Sequence, residues 1–194
     1  MAKIKVILGT TRQQRFGDQP AKWIADKATA KGLDVEILDL RDYPLPFFDE
    51  AMSPTMAAGK EGAYPYSVSA KWTAKIGEAD GFIITAAEYN HGYTAVLKNA
   101  IDYVSREWNK KPVAFVGYGS VGGARAIEQL REVAIEMQMA PIRNSVHMTN
   151  FWNLLNEKGA INTESFEAAG DAMIDQLIWW TDALKEARSK DAAV

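Results

Sequence analysis

Ile4-Lys5-Val6-Ile7-Leu8-Gly9-Thr10-Thr11-Arg12-Gln13-Gln14-Arg15-Phe16-Gly17 opens the chain and sets its architecture. The apolar run Ile4–Leu8 reads as a buried strand, and the helical pattern marked by Trp23, Ile24 and Ala28 follows the turn. A strand that empties into a polar, Gly-flanked turn before a helix gathers free backbone N–H groups at one point. The helix N-terminus adds partial positive charge, so the turn is suited to a phosphate. Thr10, Thr11, Arg12 and Arg15 reinforce it, because a guanidinium can donate two hydrogen bonds to one anion. No Gly-Lys-Ser/Thr closes the turn, which disfavours a nucleoside triphosphate with magnesium and fits a single terminal phosphate. A purely structural reading stands beside it: the threonines cap the helix and the arginines are solvated.

With 194 residues the chain is expected to form one domain over 1–194, burying roughly 70% of its unfolded surface. A formal charge of −3 offers no basic face for nucleic acid. The absence of cysteine excludes disulfides, thiolate zinc sites and a Cys nucleophile, and two histidines make a His-rich metal centre improbable, so no metal is expected. No apolar stretch reaches the about 20 residues of a membrane span, and the first apolar run is too short for a signal peptide. A cytoplasmic location is expected.

Strand-like runs Lys3–Leu8, Asp34–Leu40, Gly81–Thr85, Val113–Gly117 and Ile142–His147 alternate with helical patterns. That alternation predicts βαβ units and a doubly wound, five-stranded parallel sheet in the order 2-1-3-4-5, with helices on both faces. Ligands in such sheets sit beyond the carboxyl ends of the strands at the switch point, here between the first and third. Arg41–Tyr66 interrupts the alternation with Pro44, Pro46, Pro54 and Pro65 among aromatics, and reads as a functional or interface excursion. The tail 185–194 is expected to fray.

The turn after the third strand reads Ala86-Ala87-Glu88-Tyr89-Asn90-His91-Gly92-Tyr93-Thr94. Gly92 and Thr94 would suffice for a turn and a cap, so Glu88, Tyr89 and Asn90 are surplus chemistry able to meet the polar edge of a heterocycle. The turn after the fourth strand, Gly117-Tyr118-Gly119-Ser120-Val121-Gly122, is a formal G-x-G-x-x-G. It lies in the fourth βα unit rather than the first, and the following strand carries Arg143 where a dinucleotide fold needs an acid, so its glycines are read as permitting close approach of a flat ligand. His147 reads as structural.

These residues resemble the NADPH-dependent FMN reductase family, flavodoxin-like proteins that include small quinone, azo-dye and chromate reductases. The resemblance runs from about Lys3 to Met148 and rests on the first turn, on Glu88-Tyr89-Asn90-His91-Gly92 leading into Leu97-Lys98-Asn99-Ala100-Ile101-Asp102-Tyr103, and on Gly122-Gly123-Ala124-Arg125-Ala126. Asp42-Tyr43-Pro44-Leu45-Pro46-Phe47-Phe48-Asp49-Glu50 is similar to the family's loop after the second strand. The resemblance implies that Thr10, Arg12, Arg15 and Gly17 hold the FMN phosphate, with Thr11 and Phe16 of the same turn counted among the cofactor-binding residues. It implies that Ala87, Glu88, Tyr89 and Asn90 lie along the ribityl chain and ring, and that Ser120, Val121, Gly122 and Gly123 flank the ring's far side. Ala87 stands where the family usually has Pro, and Arg15 and Gly17 where many members have Ser and Asn.

The expected function is an FMN-dependent NAD(P)H oxidoreductase that passes a hydride through flavin N5 to a small-molecule acceptor in a ping-pong cycle, with no catalytic side chain. NADPH, or NADH, is the expected hydride donor, with the spare arginines leaning toward NADPH. A homodimer, or a tetramer, is implied, and neither nucleic acid nor membrane is expected as a partner. Two alternatives remain open at this point: a flavodoxin-type electron carrier without a nicotinamide site, and a non-flavin binding module on the same fold.

Overall fold

A computed structural model describes residues 1–57, 66–157 and 159–191. Five parallel strands, β1 (Lys3–Leu8), β2 (Asp34–Asp39), β3 (Gly81–Ala87), β4 (Pro112–Gly119) and β5 (Ala140–Thr149), form one sheet in the order β2-β1-β3-β4-β5. The helices are α1 (Asp18–Ala30), the single turn α2 (Pro54–Ala57), α3 (Ser67–Glu78), α4 (Ala95–Asp102), α5 (Ala124–Glu136) and α6 (Glu167–Asp191). The predicted fold class and strand order hold.

Alternation along the strands divides the core in two. Ile4, Val6, Leu8, Ile83, Val116 and Val146 pack against Ile24 of α1 and Met173, Ile174 and Leu177 of α6. Ile7, Phe82, Ile84, Val113 and Phe115 face Trp72 and Ile76 of α3, Leu97 and Ile101 of α4, and Leu130 of α5. Every position of β3 and β4 is buried, as both-face coverage of a parallel sheet requires.

β3 and β4 each run two residues past the predicted ends, because Ala86 and Ala87 pair with Gly117 and Tyr118. The glycine-rich turn therefore starts inside a strand. The Arg41–Tyr66 excursion lies partly outside the described residues; its first half is anchored by Asn99, whose Oδ1 accepts from the Phe48 N–H at 2.9 Å. The tail is helical through Asp191 rather than frayed from 185. Asp80 holds it by ion pairs to Lys185 (2.6 Å) and Arg188 (3.3 Å), and Arg188 also donates to the Lys110 carbonyl.

Candidate functional site

The carboxyl ends of β1, β3 and β4 are tied together by short bonds. Gly9 N–H donates to Thr85 O at 3.2 Å, and a Cβ on Gly9 would lie 2.6 Å from that oxygen, so only glycine lets β1 end against β3. The Thr94 hydroxyl donates to Gly9 O at 2.5 Å and caps α4 by accepting from Leu97 N–H at 3.2 Å. The Thr10 hydroxyl meets the Tyr89 hydroxyl at 2.8 Å, which joins the first turn to the second.

Beyond these ends lies a cleft of about 520 Å3, lined among others by Arg12, Phe16, Glu88, Tyr89, Tyr118 and Trp152. That volume lies within the roughly 300–1,000 Å3 typical of small-molecule sites. The turn from Gln13 to Gly17 forms one end. The N–H groups of Gln13, Gln14, Arg15, Phe16 and Gly17 meet no acceptor among the described residues. Gly17 begins α1 without a side-chain cap. These unused donors, at the positive end of a helix, are what an anion needs.

The two arginines of this turn have different environments. Arg12 is exposed, and its guanidinium has no partner among the described residues. The Arg15 side chain is only 2% exposed and all five of its N–H donors are used. Nε and Nη2 donate to Asp18 at 3.0 and 2.7 Å, Nη1 donates to Thr10 O at 2.5 Å and Asp39 at 2.7 Å, and Nη2 also reaches Asp39. Burial alone would raise the Asp39 pKa, but the bonds from Arg15 and from Arg41 N–H outweigh it and hold the carboxyl below its ordinary range. Arg15 thus fixes the loop's path from beneath, and Arg41 fixes it from the side by donating to Thr11 O and Arg12 O. Sequence reasoning did not see Asp39 and Arg41 as part of the site. Their signal was the parallel register that places Asp39 beside Leu8.

In the second turn Ala87 closes β3, and Tyr89 and Gly92 bond each other across Asn90 (φ 48°) and His91 (φ 75°). Asn tolerates this left-handed backbone better than most residues. Glu88 points inward, 2% exposed, to the N-terminus of α5: it accepts from Arg125 N–H at 3.1 Å and Arg125 Nε at 2.7 Å, with Nη2 paired as well. Its pKa is pushed up by burial and, more strongly in sum, pulled down by those bonds. Arg125 Nη1 also lies 3.1 Å from His91 Nδ1.

In the third turn Ser120 and Val121 are exposed while Gly122 and Gly123 are buried at φ 67° and 70°. A Cβ on Gly123 would lie 2.8 Å from Gly117 Cα and one on Gly122 2.8 Å from His147 Cβ, so both glycines are sterically required. The structure brings all three predicted turns to one end of the sheet. It adds a wall the turns only partly supply: Phe16 and Tyr118 pack with Phe151, which lay outside them, with ring centroids 5.0–6.0 Å apart, and Trp152 meets Phe151 edge-on at 5.3 Å. Leu155 and Ile161 pair in a small antiparallel bridge beside that wall. The segment is short and its partners distant in sequence, which is why periodicity does not reveal it.

A family model described as NADPH-dependent FMN reductase matches residues 2–153. An NAD(P)H-dependent FMN reductase of Nectria sp is 34% identical over 181 residues, covering 89% of each chain. One of Schizosaccharomyces pombe is 39% identical over 142 residues, covering 72% of this chain and 70% of its own. Other relatives carry the names of quinone reductases and azoreductases. Among solved structures, the flavoenzyme FerB, an NAD(P)H:(acceptor) oxidoreductase of Paracoccus denitrificans, superposes with TM-score 0.73 at 20% identity, covering 94% of this chain and 98% of its own. At that identity it speaks for the fold.

Proposed function

The chain belongs to the NADPH-dependent FMN reductase family, and from that premise we propose that it is an FMN-dependent NAD(P)H oxidoreductase whose second substrate is a quinone, an azo compound or a similar flat acceptor. The supporting observation is the Gln13–Gly17 turn, whose backbone donors are unpaired among the described residues at the start of α1, beside Arg12, which lines the same cleft and has no side-chain partner among those residues.

The residues present fit FMN. The terminal phosphate would be held by those N–H groups and Arg12. Thr10 is 1% exposed and would support the loop through Tyr89, while Thr11 and Phe16 border the phosphate end. Arg15, with every donor occupied, would shape the loop without touching the ligand. Tyr89 and Asn90 would lie along the ribityl chain, with Glu88 locking their turn onto α5. The N–H groups of Ser120, Val121 and Gly123, unpaired among the described residues, would serve the polar edge of the ring.

When bound, FMN supplies a ring that accepts a hydride from the nicotinamide at N5 and yields two electrons to an acceptor. The protein's part would be to hold and orient that group in the cleft, and a ping-pong order, with donor and acceptor using one site in turn, belongs to this reading. No side chain is assigned a catalytic proton. A homodimer belongs to this reading, supported by Phe47 and Met56, which are 80% and 60% exposed in the excursion.

The decisive experiment is anaerobic. Protein loaded with FMN should bleach its visible flavin band on addition of NADPH, and a quinone should restore it. No FMN uptake, or no bleaching at millimolar NADPH, would overturn the reading.

A further inference from the structure

The peptide joining Gly122 to Gly123 has glycine on both sides, each at positive φ, and nothing in its own side chains restrains its rotation. Both glycines pack closely against Gly117 and His147, and one side chain outside the loop adds a hydrogen bond. His147, at the end of β5, places Nδ1 3.2 Å from Gly122 O, and no other donor among the described residues bonds that oxygen. A carbonyl only accepts, so Nδ1 carries the hydrogen. The other ring nitrogen, Nε2, lies 2.8 Å from the Ser145 hydroxyl and, in the neutral imidazole, accepts from it. The Gly122 carbonyl, which can only accept, sets this tautomer, and the Ser145 hydroxyl, able to donate or accept, braces the ring from its other side.

A planar trans peptide directs its C=O and N–H in opposite senses. Fixing Gly122 O toward His147 fixes Gly123 N–H away from it. That N–H bonds nothing among the described residues, and its nitrogen lies 3.6 Å from where a Cβ on Gly119 would sit, itself 3.1 Å from Glu88 Cβ. The free donor is thus set between the second and third turns.

We propose that His147, its ring braced by Ser145, is a positioning residue: it orients the Gly122–Gly123 peptide so that Gly123 N–H is presented to the flavin. This rests on the function proposed above and adds to it a residue that touches no ligand and lies on the outer edge strand.

The test compares His147→Phe, which keeps a ring without donors, with His147→Asn, whose Nδ2 can replace Nδ1, and with Ser145→Ala. In the ligand-free protein, 15N relaxation should show the Gly123 amide falling from the rigid range of about 0.85 to below about 0.7 in His147→Phe. FMN affinity by fluorescence titration should fall about threefold to tenfold, the worth of one oriented hydrogen bond. The bound flavin's visible band should shift, the thermal midpoint should stay, and His147→Asn should restore all three signals. Ser145→Ala should fall between. Unchanged order parameter and affinity in His147→Phe would overturn the proposal. So would failure of His147→Asn to restore them, since the ring would then act only by packing against Gly122. A wild-type protein that takes up no FMN would sink the functional reading instead, and the order parameters would still decide whether His147 fixes the peptide.

Discussion

Asp39 at the end of β2 grips the Arg15 guanidinium with both carboxylate oxygens, so the second strand is bolted to the loop that leaves the first. The pair separates two roles that the sequence presents as equivalent. Arg12→Ala should weaken FMN binding by about tenfold to a hundredfold, the worth of a charge-assisted contact, and leave the unfolding midpoint alone. Arg15→Ala should leave the carboxylates of Asp39 and Asp18 without their cation and cost about 3 kcal/mol of stability. Titration with FMN and urea unfolding of both variants check this; equal losses of affinity with equal stability would refute it.

Gly17 gives a steric prediction. Its φ of −56° suits alanine, but a Cβ there would lie 2.5 Å from the Tyr118 hydroxyl. That hydroxyl is buried and has no hydrogen-bond partner among the described residues. Gly17→Ala should therefore destabilise by about 2 kcal/mol. Tyr118→Phe, which removes an unsatisfied group, should cost little. In the double variant the penalty at Gly17 should shrink by at least about 1 kcal/mol, and additive effects in that cycle would contradict the contact.

Glu88 carries a pH dependence. Its folded-state pKa lies below the usual 4.5, because the Arg125 bonds outweigh a larger single effect of burial in the opposite direction. A depressed acid stabilises the fold at pH above its unfolded value, and that contribution disappears as pH falls through the folded value. Glu88→Gln should thus lose about 2 kcal/mol at neutral pH, with the gap to wild type closing as pH falls below the ordinary glutamate value and through the depressed one. Denaturant unfolding at neutral and acid pH is the check. A constant gap would mean that shape, not charge, holds the second turn to α5.

How much of this was legible follows from distance along the chain. The strand order and the three turns could be read because each rests on local pattern: Ile4–Leu8, Phe82–Ile84 and Val113–Val116 are apolar runs with polar, glycine-containing exits. The role of Arg15 could not be read, because its partner Asp39 lies 24 residues away and only the β1–β2 pairing brings it near. The same holds for the tail, whose anchor Asp80 is 105 residues from Lys185. Trp152 and Leu155 looked like ordinary apolar residues until the Leu155–Ile161 bridge set them beside the cleft. Nonlocal neutralisation and short irregular segments leave no periodic trace.

Lys111 supplies a prediction far from the cleft, at the opposite end of the sheet. It is 7% exposed, and its Nζ donates to Ile76 O at 2.9 Å and Gly77 O at 3.1 Å, the last carbonyls of α3. Burial, with Arg188 adding repulsion against the weaker pull of Asp80 and Glu107, lowers its pKa to about 8. A neutral amine still has two hydrogens for the two carbonyls, so losing the proton costs no bond. The unfolded chain keeps that proton to about pH 10, so between about pH 8 and pH 10 the unfolded state binds more protons and stability rises with pH. The rise from this group should approach ~1.4 kcal/mol per pH unit. Lys111→Met should remove it, giving a flatter stability profile across that interval while losing some stability with the bonds to Gly77 O and Ile76 O, the latter keeping its bond from Ala79 N–H. Urea unfolding of both proteins at several alkaline pH values measures the difference, and parallel profiles would show that Lys111 keeps an ordinary proton affinity despite its burial.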